Sequence, residues 1–456
     1  MIQNGLEYLN SRLIFGMMPG LASTRKLCEV LENPQKNFKT IHVVGTNGKG
    51  STSYYLSGIL QAHGLKTGLY TSPHLVNLRE RIRINDTPID DESLNRLIMK
   101  VKAAAEETGV EPTFFEVLTI VAFLYYAEQG IDVAVLEAGL GGRLDSTAVA
   151  DGDLIVLTSI GLEHTEVLGQ TESAILKEKM GVAGSAQSIL SNGRSKVFVL
   201  GGLNEMLIEE ARMFASTRGC TCVVPEIRNN IELPNLGQHY VENASLSMKA
   251  AQLFIQRISN HEMEIPAGVH PGLGSGAGMT NLKVYDDALA LKTLATRSWT
   301  GRMQKLVDSN GNTQFILDGA HNSHAVRRLV ETLDEYYPSQ KFHCVFGALR
   351  DKDVGEMLKL MAPHVSHWHI TRTAYPRFRE LSDLQEELKK LGLTVVSAGE
   401  FSKEYLDEVR ASVTDCSPIL ITGSLYMIGA TVQELKNDFD SLSFFRGMEP
   451  TTNEHR

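Results

Sequence analysis

Short apolar runs alternate with helix-length stretches along nearly the whole chain, and that rhythm confines the fold to the α/β class. Residues 40–45 (TIHVVG), 67–71, 132–136 (DVAVL) and 154–158 (LIVLT) read as strands. They are apolar throughout rather than alternately, as parallel strands covered on both faces are. Residues 51–63, 92–108, 171–182, 204–217 and 241–258 have helical spacing. Residues 115–129 are apolar nearly all round, so a buried helix is expected there. Strand, helix and strand in series predict a doubly wound parallel sheet.

After residue 302 the rhythm restarts. Strands are expected at 313–317, 342–346, 367–371, 393–396 and 419–422, with helices between them. Two domains are therefore expected: a larger doubly wound one over 1–296 and a smaller Rossmann-like one over 297–456. Between the two rhythms, residues 267–279 (AGVHPGLGSGAGM) are glycine-rich and read as a loop. The GLGSGAG within them neither follows a strand nor opens a helix, which a dinucleotide fingerprint requires. A nicotinamide oxidoreductase is disfavoured on that ground.

Composition narrows the partners. The 456 residues carry 44 basic and 54 acidic side chains, a net charge of −10. A nucleic-acid surface needs clustered Lys and Arg, so none is expected. No apolar run approaches the ~18 residues of a membrane span. Asn4, Glu7 and Asn10 stand where a signal peptide needs an apolar stretch, and a cytoplasmic protein is expected. Cys28, Cys220, Cys222, Cys344 and Cys416 are too scattered for a disulfide framework. Cys220 and Cys222 lack a second ligand pair for zinc and read as packing residues. His364, His367 and His369 split across two faces of a strand and read as structural.

The chemistry starts at Gly45-Thr46-Asn47-Gly48-Lys49-Gly50-Ser51-Thr52, between a strand and a helix. In such a place the N–H groups of a glycine-rich turn and a helix N-terminus cradle phosphate. Lys49 adds a fixed positive charge for the β- and γ-phosphates. The spacing departs from the usual P-loop: Val43 stands where the first glycine belongs. Gly50 follows Lys49, so the hydroxyl comes one residue later, at Ser51. A phosphate-binding turn is expected in the first domain.

GTNGKGST with its shifted hydroxyl resembles the ATP loop of the Mur ligase superfamily. Further blocks match, in order, the folylpolyglutamate synthase/dihydrofolate synthase family: 71–75 (TSPHL), 136–147 (LEAGLGGRLDST), 159–165 (SIGLEHT), 177–181 (KEKMG), 237–243 (GQHYVEN), 299–302 (WTGR) and 317–322 (LDGAHN). The resemblance implies roles. Ser72, Glu137 and His164 would hold two magnesium ions. An acid directly after a buried strand suits Mg²⁺, which takes carboxylate oxygen and keeps several waters. Lys179 matches a lysine that is carbamylated in many members, and a carbamate would make it a further magnesium ligand. An unmodified lysine binding phosphate is the alternative. Asn243, Arg302 and Asp318 would bind nucleotide, Arg302 through a fork that suits phosphate. His321 would face the reacting centre or the incoming glutamate, and Ser424 would lie on the glutamate side. Thr113, Leu144, Asp145 and Ser146 match positions that meet the pterin, and 79–83 (RERIR) match a substrate-side loop. The chain departs from the family pattern at Ser146 (usually Ala), Ala148 (Asn), Met180 (a small residue), Tyr240 (Gln) and Thr300 (Pro).

The resemblance thus implies an ATP-dependent amide ligase acting through an acyl phosphate. Phosphoryl transfer asks for positioning and charge neutralisation more than for a nucleophile. Lys49, Lys179 and His321 are the catalytic candidates. With the ATP loop in one domain and Arg302, Asp318 and His321 in the other, domain closure is expected to assemble the site. The acceptor is expected to be dihydropteroate taking its first glutamate, a tetrahydrofolate taking further ones, or both. A Mur-type cell-wall peptide ligase shares the chemistry, but the SPHL, GLGGRLD and DGAHN blocks argue against it. Retention of Glu137, His164 and Lys179 argues against a non-catalytic ATP-binding regulator. Family members are usually monomers, and one is expected here.

Overall fold

The computed structural model describes residues 2–15, 20–184, 195–264, 283–309, 312–414, 417–445 and 448. The glycine-rich stretch 267–279 and Cys416 lie outside them. The chain forms two compact units. The first comprises Met1–Ser72, Ile82–Glu232 and Val241–Arg297; the second comprises Pro73–Arg81, Leu233–Tyr240 and Ser298–Arg456.

The first unit is built on an eight-stranded sheet. Its strands are β1 (Lys39–Val44), β2 (Thr67–Tyr70), β3 (Ile82–Ile84), β4 (Thr87–Pro88), β5 (Val133–Glu137), β6 (Leu154–Leu157), β7 (Val197–Leu200) and β8 (Thr221–Val223), in the order β4-β3-β2-β5-β1-β6-β7-β8. From β2 to β8 every neighbouring pair is parallel, and only β3 and β4 run antiparallel. β1 and β5 bury five residues each, and β6 is buried throughout. That is the two-sided burial the apolar runs imply. Helix Phe114–Gln129 buries residues around its whole circumference. It starts at a capping box, in which Thr113 and Glu116 exchange side-chain and backbone bonds, and ends on Gly130 at φ 58. Both ends therefore follow from local chemistry.

The second unit has six strands: β9 (Gln304–Val307), β10 (Thr313–Leu317), β11 (Phe342–Phe346), β12 (Val365–Arg372), β13 (Val395–Glu400) and β14 (Ile419–Thr422). Their order is β13-β12-β11-β14-β10-β9, with only β9 antiparallel. One face packs Val326, Leu329, Leu333, Met357 and Leu358; the other packs Leu406, Val409, Met427, Ile428 and Val432. Both sheets are mainly parallel with helices between the strands, the α/β architecture the alternation predicts.

Several elements were not foreseen. Helices Ile2–Ser11 and Ala22–Val30 precede the first strand, and β3, β4, β7, β8 and β9 extend the sheets. Within the 79–83 run, Glu80, Arg81 and Arg83 are all buried, and Arg83 sits inside β3 opposite Leu69. Among the described residues no helix is long and apolar enough to cross a membrane.

Candidate active site

Parallel strands bind ligands beyond their carboxyl ends. In the first unit those ends carry Gly45 after β1, Ser72 after β2, Glu137 closing β5 and Ser159 after β6. The 45–50 turn is held mainly from β6. Thr46 donates its N–H to the Ser159 carbonyl (2.8 Å), Asn47 N–H donates to Ser159 Oγ (3.1 Å), and Thr158 Oγ1 donates to the Asn47 carbonyl (2.6 Å). Gly48 is the N-cap of helix Lys49–Ala62 at φ 83, and no side chain caps that helix. Its first N–H groups therefore have no intrahelical or capping acceptor, the condition for an anion site. A β-carbon at Gly48 would lie 2.6 Å from Asn243 Oδ1, so the glycine is required twice over: by its dihedral and by the neighbouring Asn243.

Two lysines converge on this turn. Lys49 Nζ donates to the carbonyls of Gly45 (3.0 Å) and Thr46 (3.1 Å), and Lys179 Nζ donates to Gly45 (2.8 Å). Lys179 is only 2% exposed. Burial, assisted by the Lys49 charge, pushes its amine down to about 7. The backbone of the GLGGR loop comes close to it. A β-carbon at Gly142 would overlap the Lys179 carbonyl, and Arg143 N–H donates to the Glu178 carbonyl (2.9 Å). Glu137 is buried and accepts from the N–H of Ser72 (3.0 Å). His164 caps a short helix at φ 47, its Nε2 3.3 Å from Glu163 Oε1. Among the described residues no three His, Cys, Asp or Glu side chains converge as a ready metal cage. That is compatible with magnesium, which is bound by one or two carboxylates and keeps its waters. The hard oxygens of Glu137 and Ser72 fit that ion.

The pterin-side candidates occupy stiff positions. Asp145 is buried and accepts four bonds from its own loop: from the N–H groups of Gly139 (2.9 Å), Leu140 (3.0 Å) and Thr147 (3.0 Å), and from the Thr147 hydroxyl (2.6 Å). Burial raises its pKa against those bonds. Asp145 therefore shapes the loop that carries half-buried Leu144 and buried Ser146. Thr113 is engaged in the capping box with Glu116, a T-x-x-E signature present in TFFE that the sequence reading did not use.

In the second unit Asp318 directly follows β10. It accepts from Met303 N–H (2.9 Å), Ala320 N–H (2.9 Å) and the Tyr240 hydroxyl (3.2 Å). Burial pushes its pKa up, with the Arg302 guanidinium opposing. Tyr240, one of the departures from the family pattern, is thus a partner of a nucleotide candidate. The WTGR turn is tied by Asn235, which no motif singles out. Asn235 accepts from Trp299 N–H (3.1 Å) and donates to the carbonyls of Trp299 (3.3 Å) and Arg302. His321 donates Nδ1–H to the Gly319 carbonyl (2.8 Å). Ser424 is buried as the N-cap of helix Leu425–Leu435, accepting from Tyr426 N–H (3.2 Å).

The histidine group differs in membership from the one expected. His364 pairs with Asp334 (3.4 Å), while His367 and His369 join His343 of the neighbouring strand. His343 stacks on His367 (ring centroids 4.2 Å apart) and bonds His369 (3.0 Å). Burial, helped by the other two rings, pushes His369 down to about 4. Strand pairing created this stack, and spacing along one strand could not show it.

Comparison with known proteins agrees with this picture. Residues 301–425 match the family model of the Mur ligase glutamate ligase domain. The chain is 30% identical over 456 residues to the dihydrofolate synthase/folylpolyglutamate synthase of Bacillus subtilis, covering 95% of this chain and 99% of that one. It is 28% identical to the folylpolyglutamate synthase of Lacticaseibacillus casei, covering 90% and 92%. A solved bifunctional folylpolyglutamate synthase/dihydrofolate synthase from Yersinia pestis, complexed with AMPPNP and a Mn ion, superposes with a TM-score of 0.74 at 26% identity, covering 95% and 98%. The chain belongs to the folylpolyglutamate synthase/dihydrofolate synthase family.

Proposed function

We propose that this chain is an ATP-dependent ligase that joins L-glutamate to folates, accepting both dihydropteroate and tetrahydrofolate. The observation that carries the catalytic half is the convergence of Lys49 and Lys179 on the Gly45 carbonyl, in a turn whose helix N-terminus is open to an anion. That turn suits a triphosphate, with Lys49 as the counter-charge for the transferring group. In the first step an oxygen of the acceptor carboxylate forms a bond to the γ-phosphorus, and the bond to ADP breaks. In the second the glutamate nitrogen attacks the acyl carbon, inorganic phosphate leaves, and the nitrogen sheds a proton. A divalent ion supplies charge neutralisation at the phosphates, and Glu137, Ser72, His164 and Lys179 as a carbamate are the residues proposed to hold it. Arg302, Asp318 and Asn243 are proposed to bind nucleotide, and His321 and Ser424 the glutamate. Leu144 and Ser146, on the loop that Asp145 and Thr147 brace, are proposed to meet the pterin.

Relatives of similar identity are named for both activities or for tail extension alone, so the acceptor is the open choice. The proposal of two acceptors rests on Leu144 and Asp145, retained in a loop with its own bracing. The experiment is ADP release from Mg-ATP and L-glutamate, with dihydropteroate or tetrahydrofolate supplied separately. Release with each acceptor is expected. Release with tetrahydrofolate alone would restrict the chain to tail extension, and release with neither would sink the folate reading. A monomer working in the cytoplasm completes the proposal; size-exclusion elution near 50.2 kDa is expected.

A further inference from the structure

The turn carrying Ser146 is pinned by Asp145 of its own block and by two side chains outside the family blocks, His42 and Lys196. It is a single 3₁₀ turn, Ser146–Ala150. Asp145 fixes its start through Thr147. Its exit, Asp151, stands at φ 49 and is held by Lys196, a buried amine that also donates to the Ala183 carbonyl (2.9 Å). The middle is held by His42. This residue lies in β1 at the centre of the sheet, beside Leu136 of β5 and Ile155 of β6, and is fully buried. Its Nε2 is 2.8 Å from the Thr147 carbonyl. A carbonyl only accepts, so Nε2 carries the hydrogen and Nδ1 is the bare nitrogen. Nδ1 is buried with no hydrogen-bond partner, and it faces Gly152, where a β-carbon would overlap it. An unpaired buried acceptor is a cost that calls for a reason. Here the reason is the opposite nitrogen: the ring is kept for the bond it makes to the turn.

We infer that His42 is a positioning residue for the acceptor, fixing through Thr147 the height at which Ser146 and Leu144 meet the pterin. The same strand ends in the phosphate turn, so β1 sets two subsites at once, one at its tip and one on its face. Burial pushes the imidazole down to about 4, which keeps it neutral at any working pH. The acceptor part of this inference rests on the proposed folate reading; the bracing of the turn does not.

Three variants test it. His42→Phe removes the donor at similar volume, His42→Gln keeps a donor, and Gly152→Ala pushes the His42 ring aside while leaving the β1 sequence unchanged. Two readouts are taken: amide hydrogen exchange over residues 146–151, which needs no turnover, and KM for dihydropteroate and for ATP. His42→Phe and Gly152→Ala are expected to speed exchange at least tenfold and to raise the dihydropteroate KM at least tenfold, with the ATP KM within twofold. His42→Gln is expected to recover most of both. Exchange at the wild-type rate in His42→Phe and Gly152→Ala would overturn the bracing. Faster exchange with an unchanged dihydropteroate KM would overturn the acceptor role, and so would a parallel rise in both KM values, which signals general damage to the strand. If His42→Phe does not fold, Gly152→Ala decides. A wild-type protein that turns over no folate would sink the folate reading while leaving the exchange test of His42 intact.

Discussion

At Lys179, a proposed site residue, burial acts on the proton affinity of the amine. An amine pushed down to about 7 is mostly protonated at pH 6 and mostly neutral at pH 8. Carbamate formation needs the neutral amine, because its lone pair attacks the carbon of CO₂. Protein stripped of CO₂ is therefore expected to lose ADP release and to regain it when CO₂ is restored, faster at pH 8 than at pH 6 when the two are compared at equal dissolved CO₂; the amine sheds a proton as the carbamate forms. Activity indifferent to CO₂ at both pH values would favour the unmodified lysine on phosphate instead. The same shift has a stability consequence. The folded-state value lies below the ordinary lysine value, so the folded chain holds fewer protons between the two, and this group's contribution to stability rises with pH across that window. Lys49→Ala is expected to abolish ATP-dependent ligation while leaving the fold intact, measured as ADP release beside a thermal melt.

At the scale of elements, the strands buried on both faces and the helix following the phosphate turn were legible because their signals are local: apolar runs, glycines at a turn, a lysine after them. Helix Phe114–Gln129 was legible for the same reason, though its TFFE cap passed unused. The elements that escaped have mixed signals. β3 hides its buried arginine among charges, and β7 is a four-residue run. The candidate site was legible as blocks: those at 45–52, 71–75, 136–147, 159–165 and 317–322 lie at or just after strand ends, while 177–181 and 237–243 lie on helices. The supports were not: His42, Asn235 and the His343 stack depend on residues far apart in the chain. Thr113 offers a test of the two roles open to it. As a cap, Thr113→Ala should cost about 1 kcal/mol and Thr113→Ser little, read by urea denaturation. An acceptor KM that rises in the serine variant too, with stability kept, would point to a pterin contact. Gly48→Ala is expected to weaken ATP binding at least tenfold by calorimetry, since the new methyl meets both a left-handed dihedral and Asn243.

For the whole molecule, a cut at the single boundary the alternation suggests would leave essential pieces behind. Val76, from the 73–81 segment, packs with Phe315, Leu317 and Ile428 in the smaller unit's core. Tyr240, from the 233–240 segment, packs with Ile316 and Leu333 and bonds Asp318. Burying one such apolar side chain contributes about 1.5–3 kcal/mol, and a domain has only about 5–15 in total. The isolated fragment 298–456 is thus expected to show secondary structure without fixed packing, read as far-UV dichroism with weak near-UV signal and dye binding. A sharply cooperative melt of that fragment would show the two short segments to be dispensable.

The two units are threaded together, since the chain passes between them at 72/73, 81/82, 232/233, 240/241 and 297/298. Threading of this kind restricts how the family can exchange parts. A crossover between two genes at one point near residue 297 would pair each smaller unit with another parent's Val76 and Tyr240. A chimaera made that way inherits a mismatched core, whereas one that carries all three segments from one parent inherits it whole. Viable recombinants should therefore keep 73–81, 233–240 and 298–456 from a single ancestor, and those three stretches should share one genealogy.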